Sequence, residues 1–139
     1  MWQNSYTLVL VKSAGNRRFG GFTTKTWDFF DPSHNEKDEK NAFLFSLDKN
    51  KIYFHINDKN SRKAIKCAPE EGPIFKYGFS LGDNSIKEKA LYTYESYSNT
   101  NSNYASYDFD GDNNALSEFE AKSGLIYATE YEVFQVIFK

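Results

Sequence analysis

Tyr6-Thr7-Leu8-Val9-Leu10-Val11-Lys12 is β-branched and almost wholly apolar, and it leads through Ser13-Ala14-Gly15-Asn16 into a second extended run, Arg17 to Thr24. Strand, turn and return strand make a hairpin. The first strand is apolar at successive positions, so it is expected to be buried on both faces. Gly20-Gly21 interrupts the second, which points to a bulge or a close approach of backbone.

The same grammar recurs outward from this hairpin. Ala42-Phe43-Leu44-Phe45-Ser46-Leu47 reads as a buried strand, Asp48-Lys49-Asn50-Lys51 as a turn, and Ile52-Tyr53-Phe54-His55-Ile56 as the returning strand. Period-two alternation places Ile52, Phe54 and Ile56 on one face and Tyr53 and His55 on the other, polar face. Ala64 to Ala68 is a short strand, Pro69 to Pro73 breaks it, and Ile74 to Leu81 resumes apolar character around Gly78. Leu116 to Ala121 is a weaker strand. Glu130 to Phe138 carries the clearest alternation in the chain and is expected to be a central or closing strand. Asp31 to Asn41 reads as a solvated loop, and residues 83–115 as a long polar loop whose tyrosines pack part of it down. Many short strands with turn punctuation, and no sustained 3.6-residue period, predict a mainly β antiparallel sandwich.

Composition narrows the function classes. The 139 residues suit one domain with a real core, taken as 1–139. A net charge of −2, from 17 basic and 19 acidic residues, is not the footprint of a nucleic-acid binder. The single cysteine, Cys67, excludes an intrachain disulfide and a paired-cysteine zinc site. No run is long and apolar enough to span a membrane, and no signal peptide is visible, so a cytoplasmic location is expected.

The chemically suggestive residues resolve into ordinary roles. Asp108-Phe109-Asp110-Gly111-Asp112 resembles a calcium loop, but the sixth position from Asp108 is Asn113 rather than glycine and the twelfth is Phe119 rather than glutamate. Asp108, Asp110 and Asp112 are therefore weak metal candidates beside the simpler reading of an acidic turn. His34 and His55 lack a nucleophile or carboxylate at motif spacing and read as surface or edge residues. Cys67 lies among apolar strand residues and reads as a buried, inert thiol. No catalytic set and no cofactor site emerges.

Several segments, in order, resemble the TLDc domain family, in a short form of the kind seen in protists. They are Tyr6 to Ser13, then Arg17-Arg18-Phe19-Gly20-Gly21-Phe22-Thr23 with Trp27, then Asp38 to Leu47. Ala64-Ile65-Lys66-Cys67 with Gly72-Pro73-Ile74-Phe75 follows, and Tyr131-Glu132-Val133-Phe134-Gln135-Val136 closes the set. The resemblance implies a two-sheet antiparallel β-sandwich with short flanking helices. The family's N-terminal helical part is missing, which would leave an edge near the first strand for a partner to cover. It also implies a non-enzymatic protein-interaction module, tied to oxidative-stress resistance and to binding the vacuolar proton-pumping ATPase. Partner-binding candidates on this reading are Gly20, Gly21, Trp27, Tyr94, Tyr97 and Tyr104. A structural part in a cytoskeletal or ciliary microtubule lattice is the first alternative, and a small hydrolase or redox enzyme using His34, His55, Cys67 or the Asp108–Asp112 cluster the second.

Overall fold

The computed structural model describes residues 6–25, 36–37, 39–56, 63–67, 73–81, 90–94, 106–116 and 125–137. The strands are β1 (Tyr6–Ser13), β2 (Arg18–Thr23), β3 (Glu36–Lys37), β4 (Phe43–Ser46), β5 (Lys51–Phe54), β6 (Ile65–Lys66), β7 (Ile74–Phe75), β8 (Phe79–Ser80), β9 (Ala90–Thr93) and β10 (Leu125–Val136). All pairings are antiparallel, in the order β3-β6-β7-β8-β9-β10-β1-β2-β4-β5. The long β10 divides this path into two sheets. Its first residues, Leu125 to Tyr127, pair with β9, while Ala128 to Val136 pair with β1. The register slips opposite Lys12 and Ser13, where the strand passes from one sheet to the other. No helix occurs among the described residues, so the flanking helices implied by the resemblance are not found there.

The β1–β2 hairpin forms where the sequence predicts it. Ser13 N–H donates to Arg17 O at 2.8 Å, Asn16 N–H donates to Ser13 O at 2.9 Å, and Asn16 takes the left-handed conformation with φ 64°. Asparagine tolerates that conformation, which closes a three-residue loop. The expected edge at the first strand is absent: β1 lies between β10 and β2, because the C-terminal strand returns to cover it.

The two sheets pack face to face. Val9, Val11, Phe19, Leu44 and Tyr53 project from the first and meet Phe75 and Phe79 of the second, all buried. Phe19 meets Phe79 edge-on, with ring centroids 5.5 Å apart and planes at 80°. Phe75 and Leu44 close over Gly21, where a Cβ would lie 2.7 Å and 2.9 Å from their side chains. Gly20 needs its hydrogen for a different reason, since a Cβ there would lie 1.9 Å from the carbonyl oxygen of Val9. Pairing with β1 runs without a slip from Arg18 to Thr23, so Gly20 and Gly21 serve close approach and not a bulge.

Other expectations change. β1 is not buried on both faces: Thr7, Val9, Val11 and Ser13 are buried, while Tyr6, Leu8, Leu10 and Lys12 are not fully covered. The alternation of β5 is right but its direction is reversed. Tyr53 and His55 face the core, and Ile52 and Phe54 are 54% and 62% exposed. The Asp31–Asn41 segment is not simply a solvated loop, since Glu36–Lys37 pairs with β6 and Glu39 is buried. Within 83–115, β9 adds a strand to the second sheet, and Tyr107, Phe109 and Ala115 are buried. Of the predicted strand Leu116 to Ala121, only Leu116 is described; it is buried and lies outside the strands.

Candidate functional site

The outer face of the first sheet is built by the residues that the core does not take. Cross-strand partners share a face, so the registers give its rows directly. One row runs Phe134, Leu8, Phe22, Phe43, Phe54 across β10, β1, β2, β4 and β5. The next runs Glu132, Leu10, Gly20, Phe45, Ile52, and Tyr6 with Val136 extends the apolar field at the other side. Phe22 and Phe43 stack at 5.2 Å, with Tyr6 edge-on to Phe22 at 6.2 Å and Phe54 edge-on to Phe43 at 6.4 Å. The rings thus form one connected surface. Four interstrand steps at about 4.8 Å make it roughly 19 Å wide.

This surface is open at its margins. Tyr6 is 40% exposed, Phe134 41%, Ile52 54% and Phe54 62%. Isolated exposed apolar residues need no explanation, but a contiguous aromatic field does.

A charged border closes one end. Glu130, Lys12 and Arg18 lie in one row, with Leu47 beside Arg18. The Arg18 guanidinium donates to Asp48 Oδ1 through Nε at 3.2 Å and Nη2 at 3.0 Å, and Arg18 N–H donates to Oδ2. Partial burial pushes the Asp48 carboxyl up, but those hydrogen bonds and the charges of Arg18 and Arg17 outweigh it and hold the carboxyl below its ordinary value. Here Leu10, Lys12, Arg18, Leu47, Glu130 and Glu132 line a shallow cleft of about 200 Å³. That is below the roughly 300–1,000 Å³ of small-molecule sites. An apolar centre with a charged, arginine-bearing rim is the anatomy of a protein interface.

Of the described residues singled out by sequence, only Gly20 falls in a row of this face, and it brings no side chain to it. Gly20 and Gly21 are buried in mid-strand and set spacing. Tyr94 is half-buried at the end of β9, where its N–H donates to Gly78 O at 2.9 Å and its ring meets Tyr77 edge-on at 6.2 Å. Trp27, His34, Tyr97 and Tyr104 lie outside the described residues.

The acidic loop is a clasp. Asp108 Oδ1 accepts from Asp110 N–H at 2.9 Å and Asp112 Oδ1 from Asn114 N–H at 2.9 Å, while Lys49 pairs with Asp112 Oδ2. Burial raises the Asp112 carboxyl, but the Lys49 hydrogen bond and charge, with the Asn114 N–H, bring it below its ordinary value. Among the described residues, no three metal-ligating side chains gather. The loop is anchored by Phe109 against Tyr53 at 5.5 Å and by Tyr107, whose hydroxyl donates to Ala64 O at 2.6 Å. It seals the outer edge of β5, with Ile56 N–H donating to Ser106 O and Asp108 N–H to Phe54 O.

His55, expected at the surface or an edge, follows the last strand of the order, but its side chain is buried: it is 6% exposed and meets Tyr107 edge-on at 5.7 Å, on the inward side that Tyr53 also takes. Cys67 is buried and forms no disulfide. The outer face itself was missed by sequence reasoning. Its signal was present: β1, β2, β4 and β5 carry apolar residues on both faces, and two faces of one sheet cannot both meet the same opposing layer.

Among the described residues, no helix is long and apolar enough to cross a membrane. Compared with known proteins, residues 1–137 match the family profile described as TLD, the TLDc domain. No individual curated protein matches the chain.

Proposed function

The chain belongs to the TLDc domain family, and from that premise we propose that it is a non-enzymatic, intracellular protein-interaction module. It docks onto a large complex through the outer face of its first sheet. The partner is a subunit of the vacuolar proton-pumping ATPase, and a link to oxidative-stress resistance runs through that complex. Family membership supports the choice of partner. The apolar row from Phe134 through Leu8, Phe22 and Phe43 to Phe54, open at both ends and bordered by charge, supports the choice of surface.

The test is capture of partners from native cells with the tagged full chain, beside a variant carrying Ile52→Ser and Phe54→Ser. Recovery of ATPase subunits by the native chain, and their loss with the variant, is the expected result. Recovery of tubulin or axonemal proteins in their place would refute the ATPase reading and support the lattice alternative. Equal recovery by both chains would refute the surface.

A further inference from the structure

We infer that the edge of β10 at Tyr131 and Val133, beside which no described strand lies, is a strand-addition site for an extended partner segment with basic residues on one face and apolar residues beside them. This rests on the docking reading above and specifies how the partner is held.

The backbone geometry comes first. Ser13 N–H donates to Arg17 O, and Leu47 N–H donates to Arg18 O. In antiparallel pairing, successive residues turn their N–H and C=O groups to opposite sides. These two bonds therefore direct Val9, Val11 and Ser13 toward β2, and Leu8, Leu10 and Lys12 toward β10. Opposite the latter stand Phe134, Glu132 and Glu130, whose backbone groups face β1. Tyr131 and Val133, between them, turn theirs the other way. On that side β9 pairs only with Leu125 to Tyr127, and no described strand lies beside Tyr131 and Val133.

Natural sheets blunt such edges with Pro, Lys, bulges or a covering loop. β5 has its covering in the 106–108 segment. From Glu130 to Val136 β10 contains no Pro and no Lys; its charges are the acidic Glu130 and Glu132, and its one irregularity lies earlier, at the slip opposite Lys12 and Ser13.

Side chains at this edge give the segment its chemistry. Glu130, Glu132 and Phe134 stand on the outer face. The row of Glu132 continues through Leu10, Gly20, Phe45 and Ile52, so no cation stands directly across from it, whereas Glu130 stands opposite Lys12. A strand added antiparallel places one residue opposite each. It needs an apolar residue facing Phe134 and, two and four residues later, Lys or Arg facing Glu132 and Glu130. Positions between them face half-buried Val133 and Tyr131 and suit valine or threonine.

The probe is a fluorescein-labelled, end-capped peptide with the order Thr-Phe-Val-Lys-Val-Lys-Thr, titrated against the full chain and read by anisotropy. Saturable binding is expected, with slowed amide exchange at Tyr131 and Val133 relative to Glu132 and Phe134. Val133→Pro removes an edge donor without touching the β1 ladder and should weaken binding at least about tenfold relative to Val133→Ala. Glu132→Lys should weaken it about fivefold and reverse the preference toward a peptide with Glu in place of Lys. No saturable binding, indifference to Val133→Pro, or equal affinity for the two peptides would each overturn the proposal. In the capture experiment, loss with the Ile52, Phe54 variant but not with Val133→Pro refutes strand addition and leaves face docking standing. Indifference to both refutes both.

Discussion

Replacing Gly21 with alanine tests how the two sheets are held together. The added methyl would lie 2.7 Å and 2.8 Å from two ring carbons of Phe75 and 2.9 Å from Leu44 Cδ2. Ordinary carbon contacts begin near 3.5 Å, so the overlap is roughly 0.7 Å on two partners at once. Neither can retreat, because Phe75 and Leu44 are both 0% exposed. Overpacking of this kind costs about 1–3 kcal/mol. Alanine also restricts the unfolded chain, which returns about 0.4–1 kcal/mol. The net expectation for Gly21→Ala is a loss of about 1–2 kcal/mol, or roughly 4–8 °C in Tm for a domain of this size. Equilibrium urea unfolding, followed by tyrosine and tryptophan fluorescence, gives the value. Gly111→Ala is the contrasting variant. Nothing lies within 4 Å of a Cβ there, but φ is 73°, so its cost is conformational and about 1 kcal/mol. Asparagine at 111 should recover most of that cost, whereas no residue other than glycine should be neutral at 21. A Gly21→Ala protein as stable as the native chain would refute the close packing of the layers on which the fold argument rests.

Other consequences can be checked in the same way. Glu39 is buried and accepts from Thr23 Oγ1, Thr24 N–H and Asn41 N–H, so Glu39→Ala strands three donors and should cost about 3 kcal/mol in urea unfolding, with Glu39→Gln costing less. The carboxyls of Asp48 and Asp112 are held below the ordinary value of 3.8, so the unfolded chain takes up their protons first as pH falls. Their contribution is present above about pH 4 and is lost below it, as pH descends through the folded values. A urea midpoint that does not fall from pH 5 to pH 3 would contradict this. Tyr107 has the opposite sign: burial, then the charge of Glu39, raises its phenol well above 10.0. Stability should therefore decline as pH rises beyond 10, and Tyr107→Phe should remove that part of the decline at the cost of the bond to Ala64 O.

Much of the architecture was legible locally. The β1–β2 and β4–β5 hairpins form where turn residues separate extended runs, since a turn needs only its own few residues. The grouping of Ile52 with Phe54, and of Tyr53 with His55, follows from the period of a strand. The acidic loop failed the calcium spacing in the sequence, and in the structure Asp108 and Asp112 accept from backbone N–H groups of their own loop. The candidate interface was not legible in the same way. Gly20, Gly21 and the tyrosines stand out along the chain, as glycine pairs and aromatic-rich polar stretches do. Residues such as Leu8, Phe22, Phe43 and Phe54 stand out only when four separate strands are set side by side.

By itself, then, the sequence determined the strand class, the hairpins, the face-sharing partners and membership of the TLDc family. Each depends on near neighbours or on the order of motifs. Tertiary structure alone decided which face of each strand is inside. That choice belongs to the opposing layer: Phe75 and Phe79 arrive from far along the chain and draw Val9, Phe19, Leu44 and Tyr53 inward, leaving Phe22, Phe43 and Phe54 outside. It also decided that β1 is central, because β10 returns from the other end of the chain to pair with it. Alternation is a local property of the backbone, whereas inside and outside are defined only once distant segments have met.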